Sequence, residues 1–442
     1  MGKGSRAVEE GVITALDLEG RGVTHVDGKV VFVAGGLPGE MVRFVRTRER
    51  PSYALAELVA VNRPSPWRVR PSCPHFGYCG GCAVQHFDAG AQVAAKQRVL
   101  EEMLWHIARV RPAQILPPLH GPYWGYRHRA RIGARLVPKK GGVLVGFRER
   151  HSSFLADMTS CAVLPPQVSA LLPVLREVIG SLSCPDRVPQ IELAVGDDQA
   201  VVLVFRHLVP LSVGDEARLA AFADRYQVAV WVQPGGPETQ QPLRANDERT
   251  LAYRHPEFDV ALTFRPSDFT QVNPAMNRVL VRRAMTLLAP KPGERVADWF
   301  SGLGNFALPM ARLGAEVVGV EGSEAMSARA QALAAAHRLG DRCTFHAANL
   351  FEMTPEALAA FGRFDKWLVD PPRDGAIALV KAITPAVAPQ RIVYVSCHPG
   401  TLARDAAVLV HEHGYQLRAA GVANMFPHTG HVESIAWFER QL

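Results

Sequence analysis

The stretch Arg295-Val296-Ala297-Asp298-Trp299, followed by Phe300-Ser301-Gly302-Leu303-Gly304-Asn305, decides the fold of this chain. Its first half is a short apolar run, which is typical of a buried strand. The small residues that follow let the backbone turn sharply and approach a ligand closely. A helix is expected next, over residues 306–312. A strand, a glycine-rich turn and a helix in this order predict the first unit of an α/β sheet that binds a cofactor at its carboxyl edge.

The rest of the C-terminal region repeats this alternation, which predicts a doubly wound, Rossmann-like parallel sheet from about residue 266 onwards. Further short apolar strands are expected at 316–320, 366–370 and 391–396, and an alanine-rich helix is expected at 323–338. Polar residues follow consecutive strands, so their side chains should meet at one edge of the sheet.

Three of these polar residues indicate a nucleotide-type cofactor, and the last two of them, Asn349 and Asp370, favour an adenosyl cofactor. Glu321 ends the second strand 23 residues after Asp298, where a carboxylate can accept hydrogen bonds from ribose hydroxyls. Asn349 follows the third strand, where an adenine edge would lie, and Asp370 ends the fourth. A dinucleotide remains an alternative, because Ala307 in place of the third fingerprint glycine is sometimes tolerated.

A cysteine and a late glutamate predict the chemistry. Cys397 follows the fifth strand and precedes a helix over 401–411, so we expect the helix N-terminus to lower the pKa of its thiol. Glu433 comes 36 residues later, inside an apolar strand. A thiolate can add to an electron-poor ring carbon, and a carboxylate can then remove a proton from the neighbouring carbon. The alternatives are a buried filler for Cys397 and a solvent-facing position for Glu433.

Four other cysteines predict a metal site in the first half of the chain. Cys73, Cys79 and Cys82 are spaced C-x5-C-x2-C, and Cys161 lies far downstream. Four thiolates suit either a tetrahedral zinc ion or an iron–sulfur cluster, and the spacing leaves both open. The aromatic residues Phe76 and Tyr78 could shield such a site.

The basic excess of the chain lies in its first third. Net charge is +3 over residues 1–70, +7 over 71–160 and −3 over 161–442. Residues 8–62 have short strands separated by Gly and Pro turns, which indicate an OB-like barrel. Beyond it, a strand over 126–135 should place Arg127, Arg129 and Arg131 on one face. This distribution favours a front end that binds a polyanion, although a merely solvated basic surface is the alternative.

The composition indicates a cytoplasmic protein of two or three domains. The chain has 442 residues, no apolar run of about 18 residues, and no signal-peptide core near Met1. We therefore expect reduced thiols, no membrane association and no disulfide framework. Cys184 and Cys343 are expected to be inert. Nothing in the sequence indicates an obligate protein partner.

Several motifs together resemble those of the RNA uracil-5-methyltransferases, and within them the iron–sulfur enzymes that act on 23S ribosomal RNA. The resemblance covers nearly the whole chain, and its front also resembles a TRAM domain. The motifs are Gln271-Val272-Asn273, Trp299 to Asn305, Asp370 to Arg373, Ser396 to Pro399 and His431-Val432-Glu433.

The resemblance implies three domains. They are a TRAM/OB-like barrel at 1–62, a β-rich iron–sulfur domain at 63–92 and 125–265, and an S-adenosylmethionine-dependent methyltransferase domain at 93–124 and 266–442. The helix predicted over 93–107 would thus pack on the C-terminal domain. The implied partner is 23S ribosomal RNA.

The resemblance also implies a role for each site residue. Cys397 would add to C6 of a uracil and Glu433 would remove the C5 proton. The cofactor positions would be Gln271, Phe300, Asn305, Glu321, Asn349 and Asp370. The ligands of a 4Fe-4S cluster would be Cys73, Cys79, Cys82 and Cys161. The chain departs from the family pattern at His398, where asparagine is common, and at Trp299, Ser301, Asp374 and Gly400, but no proposed catalytic group is lost.

Two other functions compete with this prediction. One is an RNA-binding or redox-sensing protein with an inactive transferase domain, against which the intact set Asn305, Asp370, Cys397 and Glu433 argues. The other is a flavin or nicotinamide oxidoreductase, which would need a dinucleotide and would make Cys397 dispensable.

Overall fold

Six short strands form the first sheet of the computed structural model, which describes residues 7–440. Their order in the sheet is β1-β5-β6-β4-β3-β2. Ile13, Val31 and Phe44 are fully buried in its core. Between β1 and β2, Ile13 turns into this core, and its amide donates to the Glu40 carbonyl. The strands are β1 Val8–Val12, β2 Ala15–Leu16, β3 Gly22–Val26, β4 Lys29–Ala34, β5 Met41–Glu49 and β6 Tyr53–Arg63.

A buried carboxylate ties this sheet to the segment that follows it. Glu40 is fully buried and accepts hydrogen bonds from the amides of Leu37 (2.8 Å) and Ser65 (3.2 Å). The Arg68 guanidinium completes the site, at 2.6 Å from one carboxylate oxygen. Although burial opposes ionisation, these donors hold the pKa of Glu40 below its usual value.

The next helix, α1 (Ala89–Ala108), packs on the C-terminal domain. Asp88 caps it by accepting from the amides of Gly90 and Ala91. Its buried Val93, Leu100 and Leu104 belong to the same hydrophobic cluster as the C-terminal sheet. The short strand β7 (Gln114–Ile115) then joins the edge of that sheet.

The central region is a six-stranded sheet of order β13-β12-β11-β10-β8-β9, flanked by helices. Alternate residues along β10 and β11 point into two different hydrophobic clusters, so both faces of the sheet are covered. Its elements are β8 Arg129–Val137, β9 Gly142–Gly146, α2 Pro166–Ser169, α3 Leu171–Ser181, β10 Gln190–Val195, β11 Val201–Arg206, α4 Val213–Tyr226, β12 Ala229–Gln233 and β13 Gln241–Pro242.

Of the three arginines predicted to share one strand face, only Arg129 and Arg131 lie on the strand, and their surroundings differ. Strand β8 begins at Arg129, and Arg127 lies before it. The Arg129 guanidinium is largely buried and donates to the Pro266 carbonyl at 2.6 Å. Arg131 is exposed and pairs with Glu192 at 2.8 Å. Packing against the segment before the C-terminal domain thus removes Arg129 from the surface.

A hairpin and a helix connect the central sheet to the C-terminal domain. The hairpin consists of β14 (Leu251–His255) and β15 (Val260–Phe264), and the helix is α5 (Pro274–Leu288). The buried residues of all three elements belong to one hydrophobic cluster with the C-terminal sheet. The same cluster reaches the central sheet, so the two regions share a continuous core.

The C-terminal domain is an eight-stranded sheet with helices on both faces, as the alternation of strands and helices predicted. Its order is β18-β17-β16-β19-β20-β22-β21-β7, and β22 is antiparallel to both of its neighbours. The elements are β16 Arg295–Trp299, α6 Ala307–Arg312, β17 Glu316–Glu321, α7 Glu324–Ala336, β18 Cys343–Ala347, α8 Pro355–Ala360, β19 Lys366–Val369, α9 Ile377–Lys381, β20 Arg391–Ser396, α10 Pro399–His411, β21 Tyr415–Ala423 and β22 Glu433–Arg440.

The topology determines where a ligand can bind. The first strand, β16, lies between β17 and β19, so the direction of winding reverses there. A crevice outside the carboxyl ends of the strands forms at such a switch point. Across residues 7–440, no helix has the length and apolar character needed to span a membrane.

Candidate active site

The turn after β16 holds unusual backbone conformations at the edge of the sheet. Phe300 has φ +66°, and its amide donates to the Val320 carbonyl at 2.9 Å. Gly304 has φ +91°, and a Cβ there would lie 3.1 Å from the Phe345 ring. A side chain at this position would therefore meet both backbone strain and a close contact. The sequence stretch that decides the fold thus also shapes the floor of the crevice.

The predicted ribose-binding carboxylate is held against this turn. Glu321 lies at the end of β17, and its Oε2 accepts a hydrogen bond from the Gly302 amide at 3.1 Å. At the end of the next strand, the Asn349 side chain accepts from the Phe351 amide at 3.1 Å. The Phe351 ring is half exposed and lies 5.7 Å from the Phe300 ring. These groups line the region where an adenosyl moiety would lie.

Asn305 is held by two residues that the sequence analysis missed. Asn277 and Asn305 exchange side-chain hydrogen bonds of 2.9 and 3.0 Å. His255 Nε2 lies 3.0 Å from Asn305 Oδ1, and burial lowers the pKa of His255. The sequence contained only a weak signal for this arrangement. Asn277 lies six residues after Gln271, on the helix that Asn273 caps. Gln271 is half-buried in the segment before that helix.

Three carboxyl groups lie at neighbouring strand ends. Asp298, in β16, is fully buried, and both of its carboxyl oxygens lack a hydrogen-bond partner within residues 7–440. Burial and the nearby charges of Asp370 and Glu321 raise the pKa of Asp298 well above its usual value. Asp370 retains some solvent contact, yet it lies deep enough that burial raises its pKa to about 7. Such a cluster suits a cationic ligand, which would favour the ionised carboxylates.

The sheet register brings Cys397 and Glu433 together. In the antiparallel pairing of β20 with β22, Ser396 lies opposite Ser434, and Ser434 Oγ donates to the Ser396 carbonyl at 3.1 Å. Cys397 directly follows Ser396 and Glu433 directly precedes Ser434, so both residues lie at the same end of this strand pair, and the charge of Glu433 acts on the Cys397 thiol. Glu433 is only 2% exposed, so the alternative of a solvent-facing glutamate is excluded. Both residues lie beside Asp370, whose charge acts on each of them.

The predicted lowering of the Cys397 pKa is wrong for the ligand-free protein. Burial, together with the charges of Glu433 and Asp370, raises the pKa of this thiol to about 11. The Arg373 guanidinium acts in the opposite direction but does not prevail. Burial also raises the pKa of Glu433 well above its usual value. Two acidic neighbours and desolvation therefore outweigh the helix N-terminus on which the prediction rested.

His398 has a local structural role, although it departs from the family pattern. It is the N-cap residue of α10, and its Nδ1 accepts a hydrogen bond from the Thr401 amide at 3.2 Å. Asparagine is a preferred residue at this position because its side-chain oxygen can do the same. The substitution therefore preserves the start of the helix beside Cys397.

The four clustered cysteines converge on one cavity of about 100 Å³. Burial, and then the neighbouring cysteines, raise the pKa of Cys82 to about 12, and burial raises that of Cys161 to about 11. Within the described residues 7–440, no three His, Cys, Asp or Glu side chains lie close enough to hold a single metal ion. The cavity is lined by Cys73, Cys79, Cys82, Cys161, Phe76, Phe147 and Met158, among others.

Only one of the two aromatic side chains that were predicted to shield this cavity lines it. Phe76 lines it as expected, but Tyr78 is 41% exposed and its hydroxyl donates to Glu149 at 2.7 Å. Phe147, on the segment after β9, takes the predicted place of Tyr78. The sequence could not show this, because Phe147 is distant from the cysteines along the chain.

Comparisons with known proteins show which family the chain belongs to. A family model described as tRNA (Uracil-5-)-methyltransferase matches residues 248–441. A 23S rRNA (uracil(1939)-C(5))-methyltransferase RlmD of Aromatoleum aromaticum is 63% identical over 97% of this chain and 99% of its own length. A protein of the same name from Azoarcus sp. is 60% identical over the same shares.

One solved structure supports the fold. The tRNA (uracil-54, C5)-methyltransferase of Pyrococcus abyssi, in complex with S-adenosyl-L-homocysteine, aligns with a TM-score of 0.73 at 24% identity. The alignment covers 97% of this chain and all of that one.

The doubly wound sheet and the polar groups at its carboxyl edge define an S-adenosylmethionine-dependent methyltransferase. With relatives of about 60% identity over nearly its whole length, the chain belongs to the RNA uracil-5-methyltransferase family. The resemblance of its motifs and the prediction of an S-adenosylmethionine-dependent enzyme are therefore confirmed.

Proposed function

We propose that this protein methylates C5 of a uracil in 23S ribosomal RNA through a covalent bond between Cys397 and C6 of the base. The observation that carries the proposal is that the pairing of β20 with β22 brings Cys397 and Glu433 to one end of the strand pair, beside Asp370, at the carboxyl edge of the sheet. The names of the relatives from Aromatoleum and Azoarcus support ribosomal RNA as the substrate.

The residues around the crevice would hold the methyl donor. Bound S-adenosylmethionine supplies an electrophilic methyl group on a sulfonium. Glu321 can accept from the ribose hydroxyls, and Phe300 and Phe351 offer rings beside the adenine position. Asn305 is oriented by Asn277. Gln271, Asn349 and Asp370 complete the proposed set.

The reaction would use Cys397 first. Its sulfur loses a proton and bonds to C6, and the C5–C6 π electrons move onto C5 and the O4 carbonyl. C5 then bonds to the methyl carbon as the bond from that carbon to the donor sulfur breaks. In the free protein the thiol is protonated, since its pKa is about 11, so substrate binding must assist the loss of the proton. The Arg373 guanidinium is the cation that favours the thiolate.

Glu433 would then release the product. Its carboxylate removes the C5 proton, and the electrons of that C–H bond restore the C5–C6 double bond as the bond from C6 to Cys397 breaks. One proton is released overall. A buried base is protected from water. The positive charge of the bound methyl donor would favour the ionised form of Glu433 before transfer, and the loss of that charge on transfer would make the carboxylate a stronger base for the C5 proton.

Labelled methyl transfer tests the proposal directly. We expect the protein to transfer a labelled methyl group to 23S ribosomal RNA, with the label on one or more uracils at C5. Cys397→Ala should abolish transfer, and Glu433→Gln should accumulate a protein–RNA adduct, as should 5-fluorouridine-substituted RNA with the unaltered protein. Turnover by Cys397→Ala, or an adduct that does not map to residue 397, would refute the covalent route.

We further propose that Cys73, Cys79, Cys82 and Cys161 hold a 4Fe-4S cluster. Support comes from four thiols lining one buried cavity, a donor set that suits iron–sulfur chemistry. The ligands must deprotonate on binding, so the raised pKa values of Cys82 and Cys161 describe the metal-free site. Such a site requires reduced thiols, which agrees with the expected cytoplasmic location.

Metal analysis distinguishes the cluster from zinc. We expect anaerobically purified protein to contain about four iron and four sulfide per chain, and Cys82→Ser to lose most of both. Cys184→Ser is the matched control, because Cys184 lies outside the cavity and should leave the iron content unchanged. Stoichiometric zinc without sulfide would refute the proposal.

The N-terminal part of the chain is proposed to bind the RNA. The six-stranded sheet of residues 8–63 would act as a TRAM domain, and the exposed Arg131 and Arg135 of β8 would add basic contacts to phosphates. Binding through phosphates predicts that affinity for RNA falls steeply as salt concentration rises.

A further inference from the structure

The loop that leads into the proposed base is unusually buried. Residues 424–432, here called the hairpin loop, connect β21 to β22, and the register pairs Ala423 with Glu433 at its two ends. Asn424 and Met425 are fully buried, and His428 is 3% exposed. Connecting loops normally run over the surface, because their backbone polar groups need water. Glu433 is the first residue of β22, so the conformation of this loop determines its position.

Groups from distant parts of the chain satisfy the backbone of the hairpin loop. The Tyr126 hydroxyl donates to the Pro427 carbonyl at 2.9 Å. The amides of Ala83 and Val84, directly after Cys82, donate to the His428 carbonyl at 2.8 and 3.0 Å. The loop is therefore built into the rest of the molecule, in agreement with the need to pair buried polar groups.

Two side chains on one face of α1 provide the remaining contacts. Gln92 Oε1 accepts from the His428 amide at 2.8 Å, while its Nε2 donates to the carbonyls of Val84 and Phe87. Lys96, one turn later, donates through Nζ to Asn424 Oδ1 and to the Phe426 carbonyl, both at 2.8 Å. These two residues hold both halves of the hairpin loop against the helix.

Burying the Lys96 amine costs more free energy than a purely packing role would require. It is 5% exposed, and both partners of its ammonium are neutral oxygens. Burial lowers its pKa to about 7, so the side chain is only partly charged near neutrality, yet either form can donate. An apolar side chain of the same length would fill this space without the desolvation cost. What only the amine provides is two directed hydrogen bonds to the loop.

We propose that Gln92 and Lys96 are positioning residues, which fix the hairpin loop so that Glu433 meets the C5 proton of the substrate. The inference rests on the proposed role of Glu433 as the base. It predicts that loosening the loop slows release of the covalent adduct more than it affects binding of RNA or of the methyl donor.

The experiment compares Lys96→Met with the unaltered protein in steady-state methylation of 23S ribosomal RNA. Met keeps the length and apolar stem of the side chain but cannot donate. We expect kcat to fall about 100-fold, as is typical when a catalytic group is misplaced by about 1 Å. KM for RNA and the Kd for S-adenosylmethionine should change less than about twofold. The fraction of enzyme held as covalent adduct should rise, as in Glu433→Gln.

Matched variants separate positioning from stability. Lys381→Met makes the same chemical change at an exposed site on α9 and should behave like the unaltered protein. Lys96→Gln, which keeps a donor, should recover much of the lost kcat. Gln92→Met should repeat the adduct accumulation, and it replaces Lys96→Met if that variant does not fold.

Two outcomes are decisive. If Lys96→Met and Gln92→Met lower only the melting temperature, while kcat per folded molecule and the adduct fraction match Lys381→Met, the positioning role is overturned. If the unaltered protein forms neither methylated RNA nor adduct, the proposed function itself fails. That failure can be distinguished from failure of the positioning role, because it is seen without any variant.

Discussion

The reactivity of Cys397 in the ligand-free protein is the sharpest test of the electrostatics of the site. The structure predicts that this thiol is slow to alkylate, although it is the proposed nucleophile. Replacing Glu433 with Gln should increase its reactivity, because the charge of Glu433 is one of the causes that raise the pKa of the thiol. Removing the Glu433 carboxylate should therefore lower the pKa of the Cys397 thiol.

The magnitude follows from the raised pKa. A thiol with the ordinary pKa of 9.0 and one at about 11 differ about 100-fold in thiolate at pH values below both. Since the thiolate is the reactive form, Cys397 should alkylate about 100 times more slowly than an ordinary thiol of equal accessibility. In Glu433→Gln the midpoint of the rate against pH should move to lower pH. If that midpoint falls by about one pH unit, the rate below it should rise about tenfold.

Pulse alkylation with iodoacetamide, followed by peptide mass spectrometry, measures this site separately from the other cysteines. Brief pulses between about pH 7 and pH 11 show whether the rate is still rising at the highest pH, as a pKa of about 11 requires, and how far the curve shifts in Glu433→Gln. Glu412→Gln, an exposed carboxylate just after α10, is the matched control and should leave the midpoint unchanged. A midpoint at or below 9.0 in the unaltered protein, or one that Glu433→Gln does not move, would refute the reasoning.

Three further predictions concern the cofactor crevice and the first sheet. Glu321→Gln should weaken S-adenosylmethionine binding about tenfold, because it removes the charge offered to the ribose, and calorimetry showing an unchanged Kd would contradict this. Gly304→Ala should lower the free energy of unfolding by about 1–2 kcal/mol, since φ is +91° there, and urea titration measures the loss. Arg68→Met should cost about 3 kcal/mol near neutrality, because the fully buried Glu40 carboxylate loses its partner. As the pKa of Glu40 is lowered in the folded state, this stabilisation exists above the usual glutamate range and fades as pH falls, so an equal loss at about pH 7 and about pH 3 would count against it.

Local sequence patterns predicted the parallel strands of the sheet and most of the residues that lie at their carboxyl ends. The glycine-rich turn after β16 was recognisable because positive φ values demand small residues within a few positions. Glu321 and Asn349 were recognisable because each follows an apolar run of strand length, and parallel strands end at a common edge. Such signals depend on neighbours in the chain, so a single sequence contains them.

Other features depended on contacts between distant segments. Arg129 was expected on a phosphate-binding face, but the Pro266 carbonyl accepts its hydrogen bond. Tyr78 was expected at the cysteine cavity, but Phe147 lies there instead. Lys96 lies within the helix predicted over 93–107, and only the tertiary structure shows that the hairpin loop covers it. No periodicity in the sequence distinguishes these cases, because burial is decided by what packs on top.

From the amino-acid order alone, the α/β class could be derived, and the cofactor edge, Cys397 and Glu433 could be predicted as parts of the site. Only the tertiary structure showed that β22 inserts antiparallel beside β20 and so brings the two residues to the same edge of the sheet. It also reversed the expected direction of the Cys397 pKa. The physical reason is that spacing and turn chemistry act over a few residues, whereas desolvation and the charges of neighbouring carboxylates act through space, between segments that the fold brings together.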